Sequence, residues 1–169
     1  DCRYDLANPS SGYEFYLEQH IEGAIYADIQ NDLSGEPVTD QGRHPLPTEE
    51  KLREVFSSFG IDKEKQVVVY DETSGSYAAR LWWLLRYMGH NAVALLDGGW
   101  QAWQSTHYPG EAGEKKVRRT SFQGQARTEW LVLLEDVANS SLLVDSRDAP
   151  RYRGEIEPID PVAGHIPLL

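Results

Sequence analysis

Two short runs of this chain repeat one another, and that repeat restricts the fold more than any other feature. Asp1-Cys2-Arg3 matches Asp145-Ser146-Arg147, and His20-Ile21 matches His165-Ile166. The Asp-to-His spacing is 19 residues in the first copy and 20 in the second. Tyr13 and Tyr152 lie between these anchors at broadly similar places. Self-similarity at a fixed offset marks one structural module used twice. The expectation is one complete unit followed by the opening of a second, in a chain trimmed at both ends.

The first unit reads as alternating strands and helices. In residues 48–59, Thr48 is a candidate N-cap, and Glu49 and Glu50 fall in the first turn, where the helix dipole favours acid. Leu52, Val55, Phe56 and Phe59 form an apolar stripe at helical spacing, and Gly60 closes it. Residues 66–70 (QVVVY) and 92–96 (AVALL) read as buried strands, the first a central one covered on both faces. Between them a helix runs from about Tyr77 to Met88 and ends at Gly89. Trp82, Trp83, Leu84, Leu85 and Met88 make it apolar on nearly all sides, which core packing explains. Asp97-Gly98-Gly99 is a turn, and another helix starts at Trp100. Strand, helix, strand, helix with short connections predicts an α/β fold: a central parallel sheet of about five strands with helices on both faces.

Residues 105–127 change character, with Pro109, Gly110, Gly113, Gly124 and little apolar periodicity. The division that follows is a domain over 1–106, a linker over 107–127 and the start of a second domain over 128–169. There Thr128 caps an apolar-periodic segment, and Leu142 to Val144 begin a strand. Those apolar residues pack on the first domain, pair with a neighbouring chain or stay poorly ordered, with the first two ranked ahead of disorder, so self-association through this segment is an expectation.

The net charge of −11 opposes binding to nucleic acid. The one basic cluster, Lys115, Lys116, Arg118 and Arg119, reads as a solvated linker. No apolar run approaches the ~20 residues that span a bilayer. The single Cys2 allows no intrachain disulfide or multi-Cys zinc site, reads as a buried inert thiol, and fits a reducing, cytoplasmic setting. His20 and His165 read as ties to turns, because no second metal ligand stands at useful spacing. No metal or cofactor is expected. Asp1/Arg3 and Asp145/Arg147 read as structural ion pairs, and Arg80 as a helix-surface residue.

The runs Val67 to Gln104, His20 to Ile29 and Leu142 to Pro167 together resemble the rhodanese-type thiosulfate and 3-mercaptopyruvate sulfurtransferases, with LDGGWQAW the most specific segment. The first two are similar to the family's N-terminal domain, and the third to the start of its C-terminal, catalytic domain. The resemblance implies a Cys nucleophile in the C-terminal domain. It takes sulfane sulfur from a small anionic donor, thiosulfate or 3-mercaptopyruvate, carries it as a persulfide, and passes it to cyanide or a thiol acceptor. It also implies that Arg151 binds the donor. Mercaptopyruvate-type members show a second Arg nine residues further on, where this chain has Asp160, a departure that leans toward thiosulfate. At Leu168-Leu169 the family continues with Gly and a small residue.

Elementary chemistry agrees with that picture. A loop after a parallel strand converges backbone N–H groups on one point, and a thiolate placed there has a lowered pKa. In this chain the loop reads Asp71-Glu72-Thr73-Ser74-Gly75-Ser76. Two carboxylates repel an anionic donor and cannot carry sulfur, so the first domain is expected to be inert. The repeat offset puts the missing Cys near position ~215. A strand ending in Asp71 also suits a phosphatase with an Asp nucleophile, but the second Asp that such chemistry needs is Thr73 here. The stronger rival is a Cys-less rhodanese-like docking or regulatory module.

Overall fold

The computed structural model describes residues 1–38, 42–72 and 74–166. The chain divides into two compact units, Asp1–Thr128 and Glu129–Leu169. The first holds α1 (Ser11–Glu18), β1 (His20–Ile21), α2 (Glu49–Ser58), β2 (Val67–Val69), α3 (Ala78–Tyr87), β3 (Val93–Leu95), α4 (Gly99–Ser105) and β4 (Gly110–Glu111).

α2 forms where the apolar stripe places it. The Thr48 hydroxyl accepts from Lys51 N at 3.2 Å, Leu52 and Phe56 are fully buried, and Gly60 turns the chain with φ +70°. α3 buries Leu81, Leu84 and Leu85 and stops at Gly89, φ +84°. Its two tryptophans are half-buried: Trp83 stacks on Tyr87 at 4.9 Å, and the Arg86 guanidinium lies 4.9 Å over Trp82.

β2 and β3 are parallel, with Val68 opposite Ala94, and α3 packs against both. The expected sheet of about five strands is not what the described residues form: they make one parallel pair and one antiparallel pair, β1 with β4. Extended residues continue the parallel pair without a ladder. Cys2 N donates to Tyr70 O at 2.7 Å, Ala27 N to Asp1 O at 2.8 Å, and Asp1 N to Ile25 O at 2.8 Å. One or two bonds per neighbour fix the order 25–27, 1–2, β2, β3 but fall short of strands. The reading of 66–70 as covered on both faces, and of 92–96 as buried, also needs correction. Val68 is 54% exposed and Leu95 39% exposed. An apolar run reports the residues available for burial, not the layers that cover them.

Residues 107–127 run along the first unit. β4 pairs with β1, Gly113 N donates to Leu17 O, Thr120 N donates to Ser57 O, and buried Phe122 meets Phe56 edge-on at 5.1 Å. At the end of the first unit, Thr128 opens a 3-10 turn (Thr128–Trp130) instead of capping an α-helix, and in the second unit another turn spans Leu134–Asn139. α5 covers Ala149–Tyr152. Leu142 to Val144 do not form the expected strand, and Leu142 and Val144 are 79% and 81% exposed. A strand needs a ladder partner, and the described residues supply none there.

Candidate functional site

The loop after β2 is built around Asp71, which is 2% exposed. Gly75 N donates to its Oδ1 at 2.9 Å, and Tyr77 N and Ala78 N donate to Oδ2 at 2.9 and 3.2 Å. The last two groups belong to the first turn of α3, where free N–H groups and the helix dipole favour an anion. The Asp71 carbonyl accepts from Trp100 N at 2.8 Å, so one residue ties the starts of both α3 and α4. That second tie requires Gly99: a Cβ there would stand 2.6 Å from Asp71 O. Glu72 points to solvent while its carbonyl accepts from Gln101 N, and the Ser74 and Ser76 hydroxyls pair at 2.9 Å. Gly75 has φ +77°. Thr73 lies outside the described residues. The loop does converge N–H groups on one anion, and that anion is the protein's own carboxylate. Both Asp71 oxygens are engaged by backbone, which also disfavours them as phosphatase nucleophiles.

The repeated motifs make the same knot twice. Arg3 forks onto Asp1, with Nη2–Oδ2 at 2.7 Å, and Arg3 N donates to Asp1 Oδ1 at 2.9 Å. Arg147 forks onto Asp145 at 2.6 Å, and its N donates to Asp145 Oδ1 at 3.0 Å. Each guanidinium then reaches the carbonyl just before the repeated histidine: Gln19 O at 2.6 Å and Gly164 O at 2.7 Å. Each histidine uses Nδ1 to hold a tyrosine carbonyl and stacks on that ring: His20 on Tyr16 at 4.1 Å, His165 on Tyr152 at 4.2 Å. These residues are structural ties, as their sequence reading held. The counterpart of Tyr152 is Tyr16, however, and not Tyr13. His20 lies beyond the end of α1, so the stack is set by the bond from its Nδ1 to the Tyr16 carbonyl, as it is for His165 and Tyr152 thirteen residues apart.

In the second unit Arg151 is engaged by acids. Its Nε and Nη2 donate to Glu157 at 2.8 to 3.1 Å, and Nη2 also donates to Asp160 Oδ2 at 2.9 Å. Glu157 accepts from Ile159 N and Asp160 N as well, and its side chain is only 5% exposed. The Arg151 bond holds the Glu157 carboxyl down at about 2, and the Arg147 fork does the same for Asp145, also about 2. Glu157 escaped the sequence reading. The available signal was an acid six residues after Arg151, across Gly154, which turns with φ +72°.

Cys2 is fully buried, and burial pushes its thiol up to about 11, the opposite of a nucleophile's environment. Arg80 does not lie free on a helix surface. It is half-buried and donates to the carbonyls of Leu33, His44 and Pro45, pinning a loop. Within the basic cluster, Lys115 pairs with Glu111 and Arg119 with Glu54. Among the described residues, no helix is long and apolar enough to cross a membrane.

Comparison with known proteins places these features in a family. The family model of the Rhodanese-like domain matches residues 1–106. The chain is 45% identical over 175 residues to a probable 3-mercaptopyruvate sulfurtransferase of Pseudomonas aeruginosa, covering 99% of this chain and 61% of that protein. It is 35% identical, with the same coverages, to a putative thiosulfate sulfurtransferase, SseB, of Mycobacterium tuberculosis. It thus spans about three-fifths of the length of these relatives. Among solved structures, 3-mercaptopyruvate sulfurtransferase from Leishmania major superposes with TM-score 0.89 at 30% identity, over 99% of this chain and 48% of that one. SseA from Escherichia coli, described as a 3-mercaptopyruvate sulfotransferase, gives 0.83 at 30% identity, over 99% and 64%. A parallel strand leading into an anion-cradling loop, matched over most of the first unit, has one consistent reading: the chain belongs to the rhodanese-like family.

Proposed function

We propose that the chain is the front part of a tandem sulfurtransferase: a non-catalytic rhodanese domain over 1–106, a linker over 107–127 and the start of the catalytic domain over 128–169. The observation that carries the reading is the match of nearly the whole chain to sulfurtransferases, with a carboxylate at Asp71 where sulfur chemistry needs a thiol. In the whole protein, a Cys beyond Leu169 attacks the sulfane sulfur of the donor. A new S–S bond forms as the donor's bond to that sulfur breaks, and sulfite leaves thiosulfate with the electron pair. Cyanide or a thiol then takes the outer sulfur and returns the thiolate. Arg151 binds the donor anion, for which a guanidinium fork is suited. The recurrence of the Asp–Arg–His–Tyr knot supports the tandem arrangement. The unpaired, buried Cys2 fits a reducing compartment, and a cytoplasmic location belongs to the same reading. The exposed Leu142 and Val144 support self-association of the 169-residue chain.

The test is direct. The 169-residue chain yields no thiocyanate from thiosulfate and cyanide, while the protein extended through the second domain does. Turnover by the short chain would defeat the proposal. In the extended protein Arg151→Ala raises the donor KM, and an unchanged KM removes Arg151 from the site. A second reading, a Cys-less docking or regulatory module, is favoured by Asp71 itself. A natural gene product that stops near Leu169 decides for it.

A further inference from the structure

A donor anion held by Arg151 meets the charges that surround that arginine. Its guanidinium is not an isolated cation. Glu157 takes its Nε–Nη2 edge, Asp160 takes Nη2 at 2.9 Å, and Arg147, forked onto Asp145 at 2.6 Å, lies 3.9 Å from the other Glu157 oxygen. The cluster therefore holds two guanidinium groups and three carboxylates, a net negative charge.

The two acids on Arg151 are not equivalent. The Glu157 side chain is 5% exposed and also accepts from two backbone N–H groups, so it belongs to the turn. The Asp160 side chain is 42% exposed and takes the same Nη2 that Glu157 takes. An anion that takes Arg151 Nη2 must share it with Asp160 or displace Asp160.

We propose that Asp160 is a specificity-determining residue that disfavours dianionic donors relative to monoanionic ones. This rests on the reading of Arg151 as the donor-binding residue. Thiosulfate carries two negative charges at neutral pH. A 2-oxo acid with a neutral thiol, such as 3-mercaptopyruvate, carries one. Repulsion from the Asp160 carboxylate scales with donor charge, so thiosulfate bears twice the penalty. In water, one unit-charge pair at about 4 Å is worth a factor of about five in affinity. The electrostatic bias thus runs against the lean toward thiosulfate that the missing second arginine suggests.

The test uses the protein extended through its catalytic domain, with cyanide as common acceptor. Asp160→Asn keeps the shape and a hydrogen-bonding oxygen and removes the charge. The ratio of kcat/KM for thiosulfate to that for 3-mercaptopyruvate should rise about fivefold, and the rise should shrink as salt screens the site. Equal changes for both donors, or no change, overturn the proposal, because a purely structural role moves both alike. Arg151→Ala runs in parallel. If it leaves both KM values untouched, the Arg151 reading itself fails. If it raises them while Asp160→Asn leaves the ratio fixed, only the role of Asp160 is lost.

Discussion

The two units carry the same Asp–Arg–His–Tyr knot in opposite surroundings. In the first, Asp1, Arg3, Tyr16 and His20 are buried within a core that includes Leu33, Leu52, Phe56, Leu84, Leu85 and Met88. In the second, no described residue from Glu129 onward is buried, and His165 is exposed. The first unit stands on removal of apolar surface from water. The second stands on Asp145, Arg147, Arg151, Glu157 and Asp160 bonded to one another. A motif can thus specify the same local geometry in both settings, while its contribution to stability depends on burial. Exposed ion pairs contribute little each, and buried apolar groups contribute most of a core's stability.

That contrast can be broken, and the largest lever is the first core. Phe56→Ala should cost about 3–5 kcal/mol in urea unfolding, yet leave the Tyr152 ring-current shift on His165 unchanged below the transition. Loss of that shift together with the first core would show that the units do not hold independently. Next, Asp71→Ala leaves three N–H groups at the start of α3, that of Ala78 buried, without their acceptor and should cost about 2–3 kcal/mol. Amide exchange at Gly75, Tyr77 and Ala78 reports it, and unchanged protection would refute the keystone role of that carboxylate.

Acid sharpens the comparison on the second unit. Asp145 and Glu157 both titrate at about 2, below the ordinary carboxylate range. A depressed folded-state pKa means that the stabilisation is present above about pH 4 and is lost as pH falls toward 2. The His165–Tyr152 stack should disappear across that interval in NMR spectra, and a stack intact at pH 2 would refute the ionic account. The smallest effect is that of salt. At about 1 M the screening length is about 3 Å, so exchange in the second unit should quicken modestly while protection in α2 and α3 stays fixed.

Much of this was legible in the residues. α2 could be placed from Thr48, its apolar stripe and Gly60, because caps, periodicity and a left-handed stop are local properties. The Asp71 loop could be placed because a β-branched run followed by small polar residues and a helix leaves few alternatives. The Asp–Arg forks followed from a two-residue spacing repeated at both ends. Less legible were the exposure of Val68, the partner of β4 and the acids around Arg151, each of which depends on residues distant in sequence or on a turn direction.

The sequence by itself determined where the chain turns helical, which loop cradles an anion, and that a carboxylate, Asp71, heads that loop. These are matters of neighbouring side chains and backbone preference. Only the tertiary structure decided that Asp71 fills its own cradle, that Tyr16 and not Tyr13 answers Tyr152, and that Glu157 and Asp160 neutralise Arg151. Hydrogen bonds and charge pairing act through space, and their partners are settled only once the chain has folded.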